Sequence, residues 1–285
     1  MSVTTLTRSD VRDFSRSLRD ICVAHPAADV WSPAQPCDDR DPAARGALLG
    51  AGWFDLPSAG EGLAFLGPAA IELGRALVSI DCIDAALGHG VALGPALAGG
   101  LTLTRYAVVG ESVWMFDTES VDLVEVVAAT PISHLDAQNV SIVETRPMGP
   151  ATLTDGQIDA WIAAMTGYLA GLAVGASELA MTHAVGRMAF GKPLSSIEAV
   201  GVKLADSAST IEGLQMAAEC EPSPDVLRYA ARAVPGVMKD SHQILGALGF
   251  TREFPLQRFS RRAAALEAWT VPMVATLDVM REGQI

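Results

Sequence analysis

The chain has 285 residues, half of them hydrophobic, enough for a sizeable core and too apolar for a disordered segment. Its 20 Lys and Arg stand against 33 Asp and Glu. The resulting net charge of −13 excludes a sequence-independent grip on nucleic acid and disfavours docking on an anionic membrane.

The four cysteines, Cys22, Cys37, Cys82 and Cys220, have no CxxC spacing, so neither a zinc site nor a disulfide scaffold is supported. The first twenty residues are too charged for a signal peptide, and a cytoplasmic location with reduced thiols is expected.

Residues 9–24 read as an amphipathic helix with Val11, Phe14, Leu18, Ile21 and Cys22 on one face and Ser9 as N-cap. A loop rich in proline and aspartate follows, from about Pro26 to Pro42. Short helices are predicted around Ala44–Ala51 and Leu66–Val78, and a small-residue segment continues to about Gly100. From Leu101 to Glu144 the texture changes. The β-branched and aromatic runs at Tyr106–Val109, Ser112–Phe116, Leu123–Val127 and Val140–Val143 predict about four short strands.

After Met148-Gly149-Pro150 the signals are helical. Thr154-Asp155-Gly156-Gln157 fits a capping box opening a helix as far as Phe190, closed by Gly191-Lys192-Pro193. Ser195-Ser196-Ile197-Glu198 fits a second box, opening a helix to about Glu219. Ser223-Pro224 supplies an N-cap and an N1 proline for a third, ending near Gly246. Two further helices are predicted over Pro255–Ala268 and Pro272–Glu282. Long helices joined by short turns imply antiparallel neighbours in a bundle.

Two stretches have the look of membrane spans. Ala85–Thr104 has no Asp, Glu, Lys or Arg but is broken by glycines and Pro95, and Ala160–Ser177 is short for a span and flanked by Asp159 and Glu178. Gly167, Gly171 and Gly175 repeat there at i, i+4, i+8, which favours tight helix packing in a buried helix.

Generic motifs yield no chemistry. Gly88-His89-Gly90 starts like a dinucleotide fingerprint, but Leu93 stands where the third glycine belongs. The sequence has no G-x-S-x-G and no H-E-x-x-H, and its five histidines have no metal-ligand spacing. Neither a metal site nor a catalytic residue is expected from these patterns.

Two segments are more specific. Arg187-Met-Ala-Phe190-Gly191-Lys-Pro193-Leu194 is followed by Ile197-Glu-Ala-Val200 and Leu204-Ala205-Asp206. Gln243-Ile-Leu-Gly246-Ala247-Leu-Gly249-Phe250 is followed by Glu253-Phe254-Pro255 and Arg261-Arg262. In this order and separation they resemble the C-terminal signatures of the acyl-CoA dehydrogenases, over about residues 152–269. Trp53 and Glu72-Leu73-Gly74-Arg75-Ala76 match that family's N-terminal domain weakly.

The resemblance implies a mainly α fold: an N-terminal helical domain over residues 1–100, a reduced middle β domain over 101–150 and a C-terminal antiparallel four-helix bundle over 151–285. It also implies FAD lying between subunits. Arg187 would meet the pyrophosphate, Phe190 and Ile197 would wall the adenine, and Gln243 would hydrogen-bond the cofactor. Gly246 would allow close backbone approach, with Ala247 in place of the family's second glycine. Singly, Arg187 reads as a helix C-cap, Phe190 as core and Gln243 as a surface amide. Together they favour the family reading.

The family's carboxylate base has no counterpart. Counting from Gly249-Phe250 puts Thr270 where most members carry it, and counting back from Arg187 puts Trp161 where a minority do. Neither removes a proton. Glu267 and Glu178 are the nearest carboxylates in sequence. The β region is also short for a flavin bed, and Trp114 reads as core.

Both losses are similar to the non-catalytic subunit of heterotetrameric acyl-CoA dehydrogenases acting on steroid-CoA side chains. That likeness implies shared FAD, an unlike subunit carrying the glutamate, an acyl-CoA substrate and an electron-transfer flavoprotein as acceptor. A homo-oligomeric flavoenzyme with a relocated base such as Glu267, and a scaffold without cofactor, are the alternatives.

Overall fold

The computed structural model describes residues 7–30, 38–58, 62–87, 92–132, 136, 140–151 and 153–282. Gly88-His89-Gly90, Cys37 and His134 lie outside the described residues. Helix α1 spans Arg8–Ala24, α2 Pro42–Gly50, α3 Leu63–Arg75 and α4 Asp81–Asp84. The N-cap of α1 is Thr7 rather than Ser9. Thr7 Oγ1 accepts from the Asp10 amide and the Asp10 carboxylate accepts from the Thr7 amide, so one reciprocal pair satisfies two helix-end donors.

Five strands form a closed barrel: β1 Ala92–Leu97, β2 Leu101–Thr104, β3 Ser112–Phe116, β4 Val121–Pro131 and β5 Ser141–Pro150. Their order is β1-β2-β5-β4-β3, antiparallel throughout except that β1 runs parallel to β3 and closes the ring. Val113, Val124, Val126 and Val143 fill its interior.

The barrel departs from expectation in two places. Strand β1, with Gly94 and Pro95, begins before residue 101, inside the stretch expected to be helical. Gly94 is required there because a Cβ would stand 2.0 Å from the Leu103 carbonyl oxygen. Tyr106–Val109 is no strand. Tyr106 has φ 53°, which turns the chain and directs its hydroxyl to Asp39 Oδ1 at 2.6 Å.

The long helices are α5 Asp155–Gly186, α6 Glu198–Glu219, α7 Pro224–Leu245 and α8 Leu256–Glu282. The Thr154–Gln157 capping box and the Ser223 cap form as the spacing predicts. The second box does not, because Ile197 takes the N-cap of α6 without a side-chain bond. Helix α5 stops at Gly186, and α8 is one helix with Pro272 inside it. Trp269, Thr270, Met273 and Val274, all buried, hold α8 to the core on both sides of that proline.

Helices α5 and α8 are long and apolar enough to cross a membrane by length and composition, but 83% of the most apolar window of α5 is buried inside the protein. The glycine stripe explains how. A Cβ on Gly167 would meet Gly67 O at 1.9 Å and one on Gly171 would meet Ile71 O at 2.1 Å, so α3 lies directly on α5.

A buried ion cluster ties these parts together. Arg262 of α8 pairs with Asp39 and Asp136 and donates to Tyr168 Oη at 2.6 Å. Asp39 belongs to the segment before α2, Asp136 to the β4–β5 connection, and Tyr168 to α5. One side chain therefore joins loop, barrel and bundle. The basic stretch around Arg261-Arg262 is structural, with Arg258 donating to the carbonyls of Ala27 and Ala28 and Arg261 paired to Asp29.

Candidate functional site

The six residues expected to contact cofactor lie at one end of the long helices. Arg187 is the C-cap of α5, and Met188–Ala189 (β6) pairs with Lys192–Pro193 (β7) in a short hairpin. Phe190 and Gly191 form its tip with φ 54° and 78°, the left-handed pair that a two-residue hairpin turn requires. The strained turn throws the Phe190 ring outward, 96% exposed, so the core reading of this side chain does not hold. Ile197 is half-buried below the hairpin.

Gln243 and Ala247 are exposed at the end of α7, with Gly246 between them at φ 58° and ψ −137°, a conformation suited only to glycine. A Cβ there would meet nothing within 4 Å, so the backbone faces open space. Ile244 packs with Ala180, Ala184 and Leu204, with Val200 beside them, and this small cluster brings the two segments together. Neither Arg187 nor Gln243 has a hydrogen-bond or ion-pair partner among the described residues.

His242, unassigned by sequence, supports the turn. Its Nε2 lies 2.5 Å from Ser260 Oγ and its ring stacks on Phe250 at 4.7 Å. Burial holds its pKa below the usual value of a histidine. Among the described residues no three His, Cys, Asp or Glu side chains are placed to hold a metal ion.

The positions expected for the base meet elsewhere, deep between bundle and barrel. Trp161 and Trp269 are fully buried and pack edge to face at 5.7 Å, with Thr270 buried next in chain. Trp161 Nε1 donates to Asp84 Oδ1 at 3.1 Å, and Trp269 Nε1 donates to Leu103 O at 3.0 Å. Arg105 binds Asp84 through Nη2 at 2.6 and 2.7 Å and lies 3.8 Å over the Trp269 ring. Thr270 Oγ1 and Arg105 Nη1 have no hydrogen-bond partner among the described residues.

Asp84 is thus a buried carboxylate held by a guanidinium and an indole, with no orientation left for proton abstraction. No spacing rule joins Asp84 to Arg105 or Trp161, and no local pattern marks this group. Glu178 pairs with Arg75 at 2.8 Å, between α5 and α3. Glu267 is half-buried on α8 and has no ion pair among the described residues. Trp114 is partly buried against the main core.

The free guanidinium, free amide, outward aromatic ring and open glycine turn form a donor set suited to the phosphates and adenine of a dinucleotide. Their chemistry fits one end of a dinucleotide such as FAD, and they would make only a partial site for it.

No protein-family model matches the chain. In sequence it is similar to the short-chain specific acyl-CoA dehydrogenase of Bos taurus mitochondria, 31% identical over 111 residues. That match covers 35% of this chain and 27% of the bovine protein, about a quarter of the relative's length. In structure it is similar to the Tcur3481-Tcur3483 steroid ACAD, with TM-score 0.68, 15% identity and 97% and 99% of the two chains covered. The chain has the acyl-CoA dehydrogenase fold.

Two further solved structures share the fold. The ChsE4-ChsE5 complex from Mycobacterium tuberculosis matches with TM-score 0.64 at 17% identity, covering 99% and 97% of the chains. A glutaryl-CoA dehydrogenase from Mycobacterium smegmatis, in complex with FADH2, matches with TM-score 0.65 at 14% identity, covering 98% and 95%. The mainly α acyl-CoA dehydrogenase fold expected from the sequence is the fold observed.

Proposed function

We propose that this chain is the non-catalytic subunit of a hetero-oligomeric FAD-dependent acyl-CoA dehydrogenase, contributing contacts to FAD held mainly by an unlike subunit. The single observation that carries the reading is the filled interior. Trp161, Trp269 and the Asp84–Arg105 pair occupy the region where the family counts place its base. A chain with that region packed solid has no room for an acyl thioester beside a carboxylate.

The bundle end supplies the complementary half of the argument. Arg187 would pair with the pyrophosphate, Phe190 and Ile197 would cover the adenine faces, and Gln243 would hydrogen-bond the dinucleotide near the open backbone at Gly246 and Ala247. All six face away from this chain's own core or lie at its edge, the placement needed to reach a neighbour's cofactor. FAD, when bound, supplies the hydride acceptor for α,β-desaturation of an acyl-CoA. The α-proton goes to a glutamate of the unlike subunit, since Asp84, the carboxylate bonded to Trp161, is held by Arg105.

Steroid-derived acyl groups and an electron-transfer flavoprotein acceptor remain part of this reading. The steroid ACAD likeness supports the first of these. A cytoplasmic location is proposed with them.

The test is visible absorbance of the chain purified alone and of the chain co-expressed with the unlike acyl-CoA dehydrogenase subunit encoded beside it. Flavin in the co-purified complex only is the expected result. Flavin and desaturation by the lone chain would overturn the proposal and direct attention to Glu267.

A further inference from the structure

A second feature lies away from the bundle end. A cleft of about 1010 Å3 runs between α1 and the end of α6, with α3 as its floor. The face of α1 carrying Arg8, Val11, Arg12, Ser15, Arg16 and Arg19 lines one wall. From Thr7 to Arg19 this wall is about 18 Å long, some three helical turns.

The walls have opposite charge and do not meet. Arg8 and Arg12 have no ion pair among the described residues, nor do Glu219 and Glu221 on the far wall, where the α6 helix end adds its own negative pole. Arg16 holds only the exposed Asp13 at 3.1 Å, and Arg19 closes one end on Glu72 at 2.6 Å. The floor is apolar. Leu63 is 38% exposed, and Ala64, Pro68 and Ile71 continue the strip.

We propose that this cleft seats an amphipathic helix of the unlike subunit, an inference that rests on the hetero-oligomer reading above. The helix would present acidic residues to Arg8 and Arg12, an apolar stripe to Leu63, Pro68 and Ile71, and a basic edge to Glu219 and Glu221. Only a ligand with two charged edges satisfies both walls. A small amphiphile with one anionic head leaves the glutamates unanswered, and an 18 Å groove open along its length suits a helix, as noted for helix-in-groove docking at about this scale.

A second copy of this chain offering its α1 is a poorer occupant. Its own α1 is anchored by Phe14 on Phe65 and by Arg19 on Glu72, leaving Ser9, Asp10, Asp13, Ser17 and Asp20 as the outward face. That face has no apolar residue to cover the floor.

The experiment uses the co-purified complex and the full-length chain carrying Arg8→Glu and Arg12→Glu. Both positions are exposed and unpaired, so circular dichroism of the variant should match the parent. The expected result is association weakened by roughly tenfold near physiological salt, with a smaller difference at high salt. Hydrogen exchange along residues 63–71 should slow when the parent complex forms. A complex that assembles and binds flavin with the variant as with the parent, and without that protection, overturns the cleft assignment alone. Failure of any unlike subunit to associate overturns the hetero-oligomer reading as well. Protection that appears in the isolated chain with rising concentration assigns the cleft to a second copy and overturns the proposal.

Discussion

Trp161 of α5 and Trp269 of α8 meet edge to face, ring centroids 5.7 Å apart and planes at 69°, each with its indole N–H bonded to a different part of the fold. Two positions 108 residues apart in sequence, Trp161 counted as a place for a catalytic base and Trp269 next in chain to the other, Thr270, therefore share one packed interior. Truncating either ring leaves a large void and removes an indole hydrogen bond. Trp269→Ala should cost about 3–5 kcal/mol of unfolding free energy, read from denaturant midpoints. A loss under about 1 kcal/mol would mean that the rings do not brace the core.

Arg187 offers a cleaner separation of folding from function. It is exposed and has no ion pair among the described residues, so Arg187→Ala should leave the melting temperature of the lone chain unchanged. The flavin content of the hetero-oligomer should fall, with partial recovery in Arg187→Lys, which restores charge but not the two-pronged geometry. Unchanged flavin occupancy in Arg187→Ala would remove this residue from the site.

The glycine stripe predicts opposite outcomes for one substitution at two helical positions. Gly171→Ala puts a methyl 2.1 Å from Ile71 O and 2.7 Å from Arg75 N, both backbone, so α3 and α5 must separate. A loss of about 2–4 kcal/mol is expected from the lost packing. Gly236→Ala on α7 meets nothing within 4 Å and should stabilise by about 0.5–1 kcal/mol through helix propensity. Thermal unfolding of the pair decides the matter, and equal effects would contradict the packing.

Arg262 should be among the least replaceable side chains. Arg262→Leu removes the cation shared by the buried carboxylates of Asp39 and Asp136 and takes one hydrogen bond from the Tyr168 hydroxyl. Breaking a buried pair on one side costs about 3–5 kcal/mol, enough to unfold a marginal chain. Limited proteolysis should then cut near residues 38–41 at concentrations that spare the parent.

Burial depresses the His242 pKa below its ordinary 6.5, so the unfolded chain takes up the proton more readily than the folded one. Its contribution to stability is then complete above about pH 6.5 and is lost as the pH falls through the lower folded value. His242→Gln should flatten the slope of stability against pH in that acid window. Urea midpoints for both proteins across it provide the comparison, and identical slopes would exclude His242 as the source.

Much of the helical architecture was legible because its signals are local. Thr154 with Gln157, and Ser223 with Pro224, announce helix starts through bonds made within one turn. The second predicted capping box failed because Ser195 and Ser196 belong to the turn after the β6–β7 hairpin, and the helix begins only at Glu198. Pro272 suggested a break that packing on both flanks of α8 overrides. Strand β1 was hidden by Gly94 and Pro95, residues that disfavour strands until the close approach of Leu103 requires the glycine.

The sequence by itself determined the acidic charge, the order of helices, strands and helices, and the Arg187–Phe190 and Gln243–Gly246 motifs, all set by composition, periodicity or short spacing. Only the tertiary structure decided that Phe190 points outward, that Asp84 is locked to Arg105 and Trp161, and that α1 and α6 leave a charged cleft between them. Those relationships join residues 21 to more than 200 positions apart. Such pairings depend on how buried surfaces and desolvated charges settle against one another, which no local pattern encodes.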